Sequence, residues 1–115
     1  MTKTQYCPAR GDVIILDFNP QAGHEQAGKR PALVISDDMF NQITGFAVVC
    51  PITNQVKNYP FEVAIEGASK STGVILADQV KSLDWKSRNA RTVDQVSNET
   101  VTNVVDLVSK IIKVA

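Results

Sequence analysis

Histidine is nearly absent from this chain: His24 stands alone among 115 residues. A pair of imidazoles working as acid and base within one subunit is therefore excluded, and so is an HxxxH metal motif. Only two cysteines occur, Cys7 and Cys50, with neither metal-ligand nor disulfide spacing. Cys50 lies in an apolar run and reads as a small buried hydrophobe, which points to a reducing, cytoplasmic setting. No apolar run approaches the about 20 residues that cross a bilayer, and no charged-then-apolar leader opens the chain. The expectation is a soluble, unprocessed protein with no membrane partner. A phosphate-cradling P-loop, a dinucleotide fingerprint, a serine nucleophile elbow and a spaced carboxylate cluster are all missing. No metal and no cofactor are expected. Metal-free acid–base chemistry on a polar surface is what remains.

Excess charge is also lacking. Twelve cations balance twelve anions, and no stretch departs far from balance. Up to Pro60 there are five of each, from Phe61 to Arg91 five cations face four anions, and beyond that two face three. Bulk charge thus gives no support for a nucleic-acid partner, and any such site must be a local patch. Lys81, Lys86, Arg88 and Arg91, joined in space by Lys29, Arg30 and Lys57, form the candidate. On sequence alone the same residues read more readily as scattered, solvated charges.

What is present is mostly ordinary: 43% hydrophobic and 21% charged residues, as in a globular protein, and a length that suits one domain over 1–115. Strand-like runs cover Asp12–Phe18, Pro31–Ser36, Phe46–Thr53, Phe61–Ile65, Gly73–Ser82 and Arg91–Val93. Pro51 predicts a bulge or strand end. Asp37–Gln42 predicts a single helical turn capped by Asp37 or Ser36. From about 97 to 113 the period changes. Val101, Val104, Val105, Val108, Ile111 and Ile112 recur at steps of three and four, which predicts a helix with Ser97 as its cap. That helix docks on the barrel or takes a share of a dimer interface. Short strands over about 10–93 followed by one helix predict a mainly β fold, a small antiparallel barrel of SH3-like class.

One segment carries more chemistry than a turn needs. His24, Glu25, Gln26, Lys29 and Arg30 fall within seven residues between Gly23 and Pro31. The connection from about Asn19 to Arg30 is roughly twice the usual loop length, which favours function.

These residues sit in an order that resembles a toxin family. Gly11-Asp12-Val13, Phe18-Asn19-Pro20, the block from Gly23 to Val34, Pro51-Ile52-Thr53, Tyr59-Pro60-Phe61-Glu62-Val63 and Ala77-Asp78-Gln79-Val80-Lys81-Ser82 with Trp85 soon after resemble the MazF/PemK family of type II toxin–antitoxin systems. The likeness covers about residues 10–91. It implies a homodimer of SH3-like barrels and a ribosome-independent endoribonuclease that cuts single-stranded RNA at a short sequence without metal. The ribose 2′-hydroxyl would attack the adjacent phosphate, leaving a 2′,3′-cyclic phosphate and a 5′-hydroxyl. The resemblance further implies a cognate MazE-like antitoxin that blocks the cleft, and a toxin–antitoxin complex that binds its own promoter DNA through the antitoxin.

Residue by residue, the resemblance assigns catalysis to Arg30, Thr53, Glu25 and His24. Arg30 matches the catalytic arginine; its alternative is a surface salt bridge. Thr53 matches the active-site threonine, although a strand-end threonine is also a structural residue. Glu25 is either the base or a loop brace. His24 follows the PemK branch, where histidine is thought to do acid–base work, whereas many MazF members carry a small residue there. Leu76 departs from the PemK pattern, which has arginine at that place. Substrate contacts fall to Lys29, Gln26, Asn54, Gln55, Lys57, Asp78, Gln79 and Lys81, with Tyr59, Phe61 and Trp85 as stacking or core aromatics. Two non-catalytic readings stand beside this one: a CcdB-like toxin that binds gyrase, which would lack the Glu25–Arg30 block, and an SH3-like interaction module, which would have no need of Arg30.

Overall fold

The computed structural model describes residues 5–18 and 28–114. His24, Glu25 and Gln26 lie outside the described residues. Strand β1 spans Asp12–Asp17, β2 Lys29–Val34, β3 Phe46–Thr53, β4 Glu62–Ala64, β5 Val74–Leu76, β6 Lys81–Asp84 and β7 Arg91–Gln95. Helix α1 covers Asp38–Thr44 and α2 Asn98–Ile111, and a 3₁₀ turn covers Ala77–Gln79.

The strands pair antiparallel in the order β4-β5-β3-β2-β1-β7, with β6 also on β3. The ladder does not close among the described residues, but the sheet curls. The Lys81 ammonium on β6 lies 5.4 Å from the ring centre of Phe18, although β3 and β2 separate β6 from β1 in the ladder. The fold is mainly β with a C-terminal helix, as the sequence predicts.

Apolar packing on both sides explains the unbroken apolar runs of the central strands. One face sets Val13, Leu33, Cys50, Ile52 and Ile75 against Val104 and Val108 of α2. The other gathers Ile14, Leu16, Ala32, Val34, Ala47 and Val49 around Trp85. Valines cost α2 up to ~0.7 kcal/mol each in helix propensity. Burial of a valine is worth ~1.5–3 kcal/mol, so packing decides the conformation.

Four expectations change. The Gly73–Ser82 run is two strands, not one. On one edge of β3, β6 pairs with Phe46–Val49 and β5 with Ile52–Thr53, and the 3₁₀ turn spans the gap between them. Pro51 ends nothing, because β3 runs on to Thr53; Pro51 falls in that gap, where its missing N–H leaves no rung broken on this edge. Helix α1 runs on to Thr44, capped by Asp37 at one end and by left-handed Gly45 at the other. The apolar stripe of α2 is buried only in part. Val101, Val104 and Val108 are covered, whereas Val105, Ile111 and Ile112 are exposed, and the helix stops at Ile111.

Candidate active site

Arg30 sits on a strand, not in the polar loop where the sequence suggests it. It pairs with Leu16 of β1 and so shares the face of Leu16, Ala32 and Val34. The β2–β3 ladder ends at Ala32–Pro51. Two residues further along each strand, on that same face, come Arg30 and Thr53. The backbone thus delivers a guanidinium and a hydroxyl to one end of the sheet. Arg30 is exposed, and no carboxylate among the described residues forms an ion pair with it. The Thr53 hydroxyl accepts the Gln55 N–H at 3.1 Å, which leaves its own O–H to donate elsewhere.

Beyond Thr53 a polar cleft of about 190 Å³ opens, lined by Thr53, Gln55, Lys57, Tyr59, Glu62, Leu76 and Gln79. One wall is the 54–61 connection between β3 and β4, and the other is the 3₁₀ turn that carries Gln79. The Glu62 carboxylate receives the Lys57 N–H at 2.8 Å and the Asn58 N–H at 2.9 Å, around a left-handed Asn58 with φ 57°. The Tyr59 hydroxyl donates to Asp78. That bond pushes the Tyr59 hydroxyl up to about 12. Asn54 accepts from the Thr72 hydroxyl at 3.0 Å. Gly73 lies so close that a Cβ there would meet the Thr53 carbonyl at 2.4 Å and Asn54 Oδ1 at 2.7 Å.

The candidate residues therefore separate. Arg30, Thr53, Gln55, Lys57 and Gln79 gather at the cleft or on the adjoining strand ends, and Lys29 adjoins Arg30 on β2. Lys81 lies on the same sheet face, opposite Val49, with its ammonium over Phe18. Asn54 and Asp78 spend hydrogen bonds on the frame of the cleft. The wider basic patch assembles only in part. Lys86 lies over the Trp85 ring, beyond the far end of β6, whereas Arg88 donates to the carbonyl of Asp17, the β1 partner of Lys29, and Arg91 pairs with Ile15 on the other edge of β1. Trp85 itself is core, 5% exposed, with its indole N–H donated to the Asn41 carbonyl. Cys50 is fully buried, and burial pushes its thiol up to about 12, which makes it inert as a nucleophile.

Sequence reasoning missed Glu62 and Asp94. The carboxylate of Asp94 collects the N–H groups of Ser69, Lys70, Ser71 and Gln95. These bonds hold it well below the usual carboxylate range. Isolated Asp and Glu residues gave no signal of this kind; only the fold shows which backbone amides they face. A larger cavity of about 470 Å³ lies beside α2, lined in part by Arg10, Ile35, Val101 and Asp106. It holds none of the candidate residues.

Residues 9–112 match the model of the PemK-like, MazF-like toxins of type II toxin–antitoxin systems. The chain is 48% identical over 96 residues to the endoribonuclease toxin MazF of Escherichia coli K12, covering 84% of this chain and 86% of that one. It is 36% identical over 100 residues to the E. coli endoribonuclease PemK, covering 84% and 74%. A crystal structure of MazE–MazF from Deinococcus radiodurans superposes with a TM-score of 0.89 at 40% identity, over 96% of this chain and 100% of that chain.

Proposed function

This chain belongs to the PemK-like, MazF-like family of type II toxin–antitoxin toxins, and on that premise we propose how it acts. It is an endoribonuclease toxin that cuts single-stranded RNA at a short sequence, independently of the ribosome and without a metal ion. The observation that carries this reading is the delivery of Arg30 and Thr53 to one face at the end of the β2–β3 ladder, beside a polar cleft.

The chemistry follows from the groups. The ribose 2′-oxygen attacks the neighbouring phosphorus and loses its proton to a base. The bond to the 5′-oxygen breaks, and that oxygen takes a proton from an acid. Glu25 and His24 are the candidates for proton transfer in these steps. Negative charge grows on the non-bridging oxygens during attack. Arg30 clamps two of them with a planar fork that stays charged, and the Thr53 hydroxyl donates a further hydrogen bond. Gln55, Lys57, Gln79 and Lys81, with Lys29, Gln26, Asn54 and Asp78 around them, hold and read the strand.

The working unit is a cytoplasmic homodimer, restrained by a MazE-like antitoxin through which the pair binds promoter DNA. The relatives are named endoribonucleases, which removes the ground for a gyrase-binding toxin or a non-catalytic SH3-like module. Mutation of Arg30 tests the reading. Arg30→Ala should lower the cleavage rate by about 10²–10³, the usual cost of one transition-state stabiliser, with the circular dichroism spectrum unchanged. Arg30→Lys should recover little, since a point charge cannot replace the fork. Cleavage near the unaltered rate by Arg30→Ala would remove Arg30 from catalysis.

A further inference from the structure

Glu62 spends a carboxylate on two backbone amides, those of Lys57 and Asn58. No cation among the described residues pairs with it. Glu62 is also the residue of β4 that pairs with Leu76 at the end of β5. The next residues after Leu76 are the 3₁₀ turn, which carries Asp78 and Gln79. The Ala77 N–H is fixed to the Phe61 carbonyl at 3.0 Å, and Tyr59 reaches Asp78. Both walls of the cleft, the 54–61 connection and the 77–79 turn, therefore hang on the β4–β5 pair, with Glu62 at the junction. Gln55, Lys57 and Gln79 line the cleft, and their side chains have no hydrogen-bond partner among the described residues.

Single-stranded RNA is read through hydrogen bonds to splayed base edges. Such bonds discriminate only if the donors and acceptors are held in place beforehand; a loose wall adapts to a wrong base. We propose that Glu62 is a positioning residue that sets the sequence selectivity of cleavage, by fixing the wall from which Gln55 and Lys57 meet the bases. The proposal rests on the RNA-cleaving reading above. Glu62 touches no reacting atom in this scheme, and Arg30 and Thr53 keep their places without it, since β2 and β3 hold them.

The test uses the full chain and RNA oligonucleotides carrying its mapped cleavage sequence, together with single-base variants of that sequence. In Glu62→Gln one carboxylate oxygen becomes an amide donor that confronts a backbone N–H. The ratio of kcat/KM between the best sequence and its variants should fall by roughly tenfold, with KM raised and kcat on the best sequence reduced no more than about threefold. Glu62→Asp, which keeps the charge on a shorter stem, should restore part of the ratio. Unchanged selectivity in a folded, active Glu62→Gln protein would overturn the proposal, as would a loss confined to kcat. Amide hydrogen exchange on the unaltered protein adds a measurement that needs no variant to fold. The Lys57 and Asn58 amides should exchange more slowly than their loop neighbours, and fast exchange at both would equally overturn the proposal. Failure of the unaltered chain to cut any RNA would instead strike the cleavage reading, whatever the exchange rates show.

Discussion

At the scale of single residues, the two proposed catalytic groups, an exposed Arg30 and a half-buried Thr53, both stand on strands. Arg30 lies on β2 and Thr53 ends β3, so neither needs loop ordering before it can act. Thr53→Val removes the O–H while keeping the shape of a β-branched residue. It should slow cleavage by roughly ten- to a hundredfold, the share of one hydrogen bond to a charged group, measured in single-turnover assays, and leave the melting temperature nearly unchanged. Glu25 and His24 are separated by their own pair of variants. With Glu25 as base and His24 as bystander, Glu25→Gln should lose most activity and His24→Ser should keep most of it; the reverse ranking would assign proton transfer to the imidazole. The sequence made Arg30 and Thr53 legible as candidates because the block around Arg30 and the Pro51-Ile52-Thr53 step are specific, and the fold brings the two to one face. It could not sort Asn54 and Asp78 from Gln55 and Gln79. A polar side chain looks the same in sequence whether it faces a ligand or, like Asp78, holds a tyrosine.

At the scale of elements, pattern alone foresaw β1 to β3 and α2 but not the division of the Gly73–Ser82 run. That run reads as one strand because its apolar residues follow closely. The break is imposed from outside, by β3 offering two separate pairing edges. The apolar stripe of α2 misled in the opposite direction. Its periodicity is helical along its length, yet burial stops where the barrel stops, near Val108. Val104→Ala should destabilise the fold by about 2 kcal/mol, and the exposed Ile112→Ala should change stability little; urea denaturation compares them directly. Asp94 adds a pH-dependent clasp between β7 and the 66–72 connection. Its carboxyl is held low in the folded protein, so its contribution is present above the unfolded Asp value of about 3.9 and is lost as the pH falls toward the lower folded value. The melting temperature of Asp94→Asn should therefore lie below that of the unaltered protein at pH 7, and the gap should narrow only when the pH drops below about 4.

At the scale of the whole molecule, zero net charge coexists with a local concentration of cations on the strand ends and the cleft wall. Lys29, Arg30, Lys57 and Lys81 can attract phosphates without a basic tail, and an acidic, flexible antitoxin segment that folds on binding would compete for the same cations. No helix among the described residues is long and apolar enough to cross a membrane. Expression of the chain alone should arrest growth, co-expression with a cognate acidic antitoxin should restore it, and Arg30→Ala should relieve the arrest with no antitoxin present. The most direct test of the central claim is chemical. A long RNA is incubated with the purified chain in excess EDTA, and the new ends are mapped and typed. The account predicts cuts at one short recurring sequence, each leaving a 2′,3′-cyclic phosphate and a 5′-hydroxyl, and absent with Arg30→Ala. Intact RNA, cuts that vanish with EDTA, or 5′-phosphate ends would contradict it.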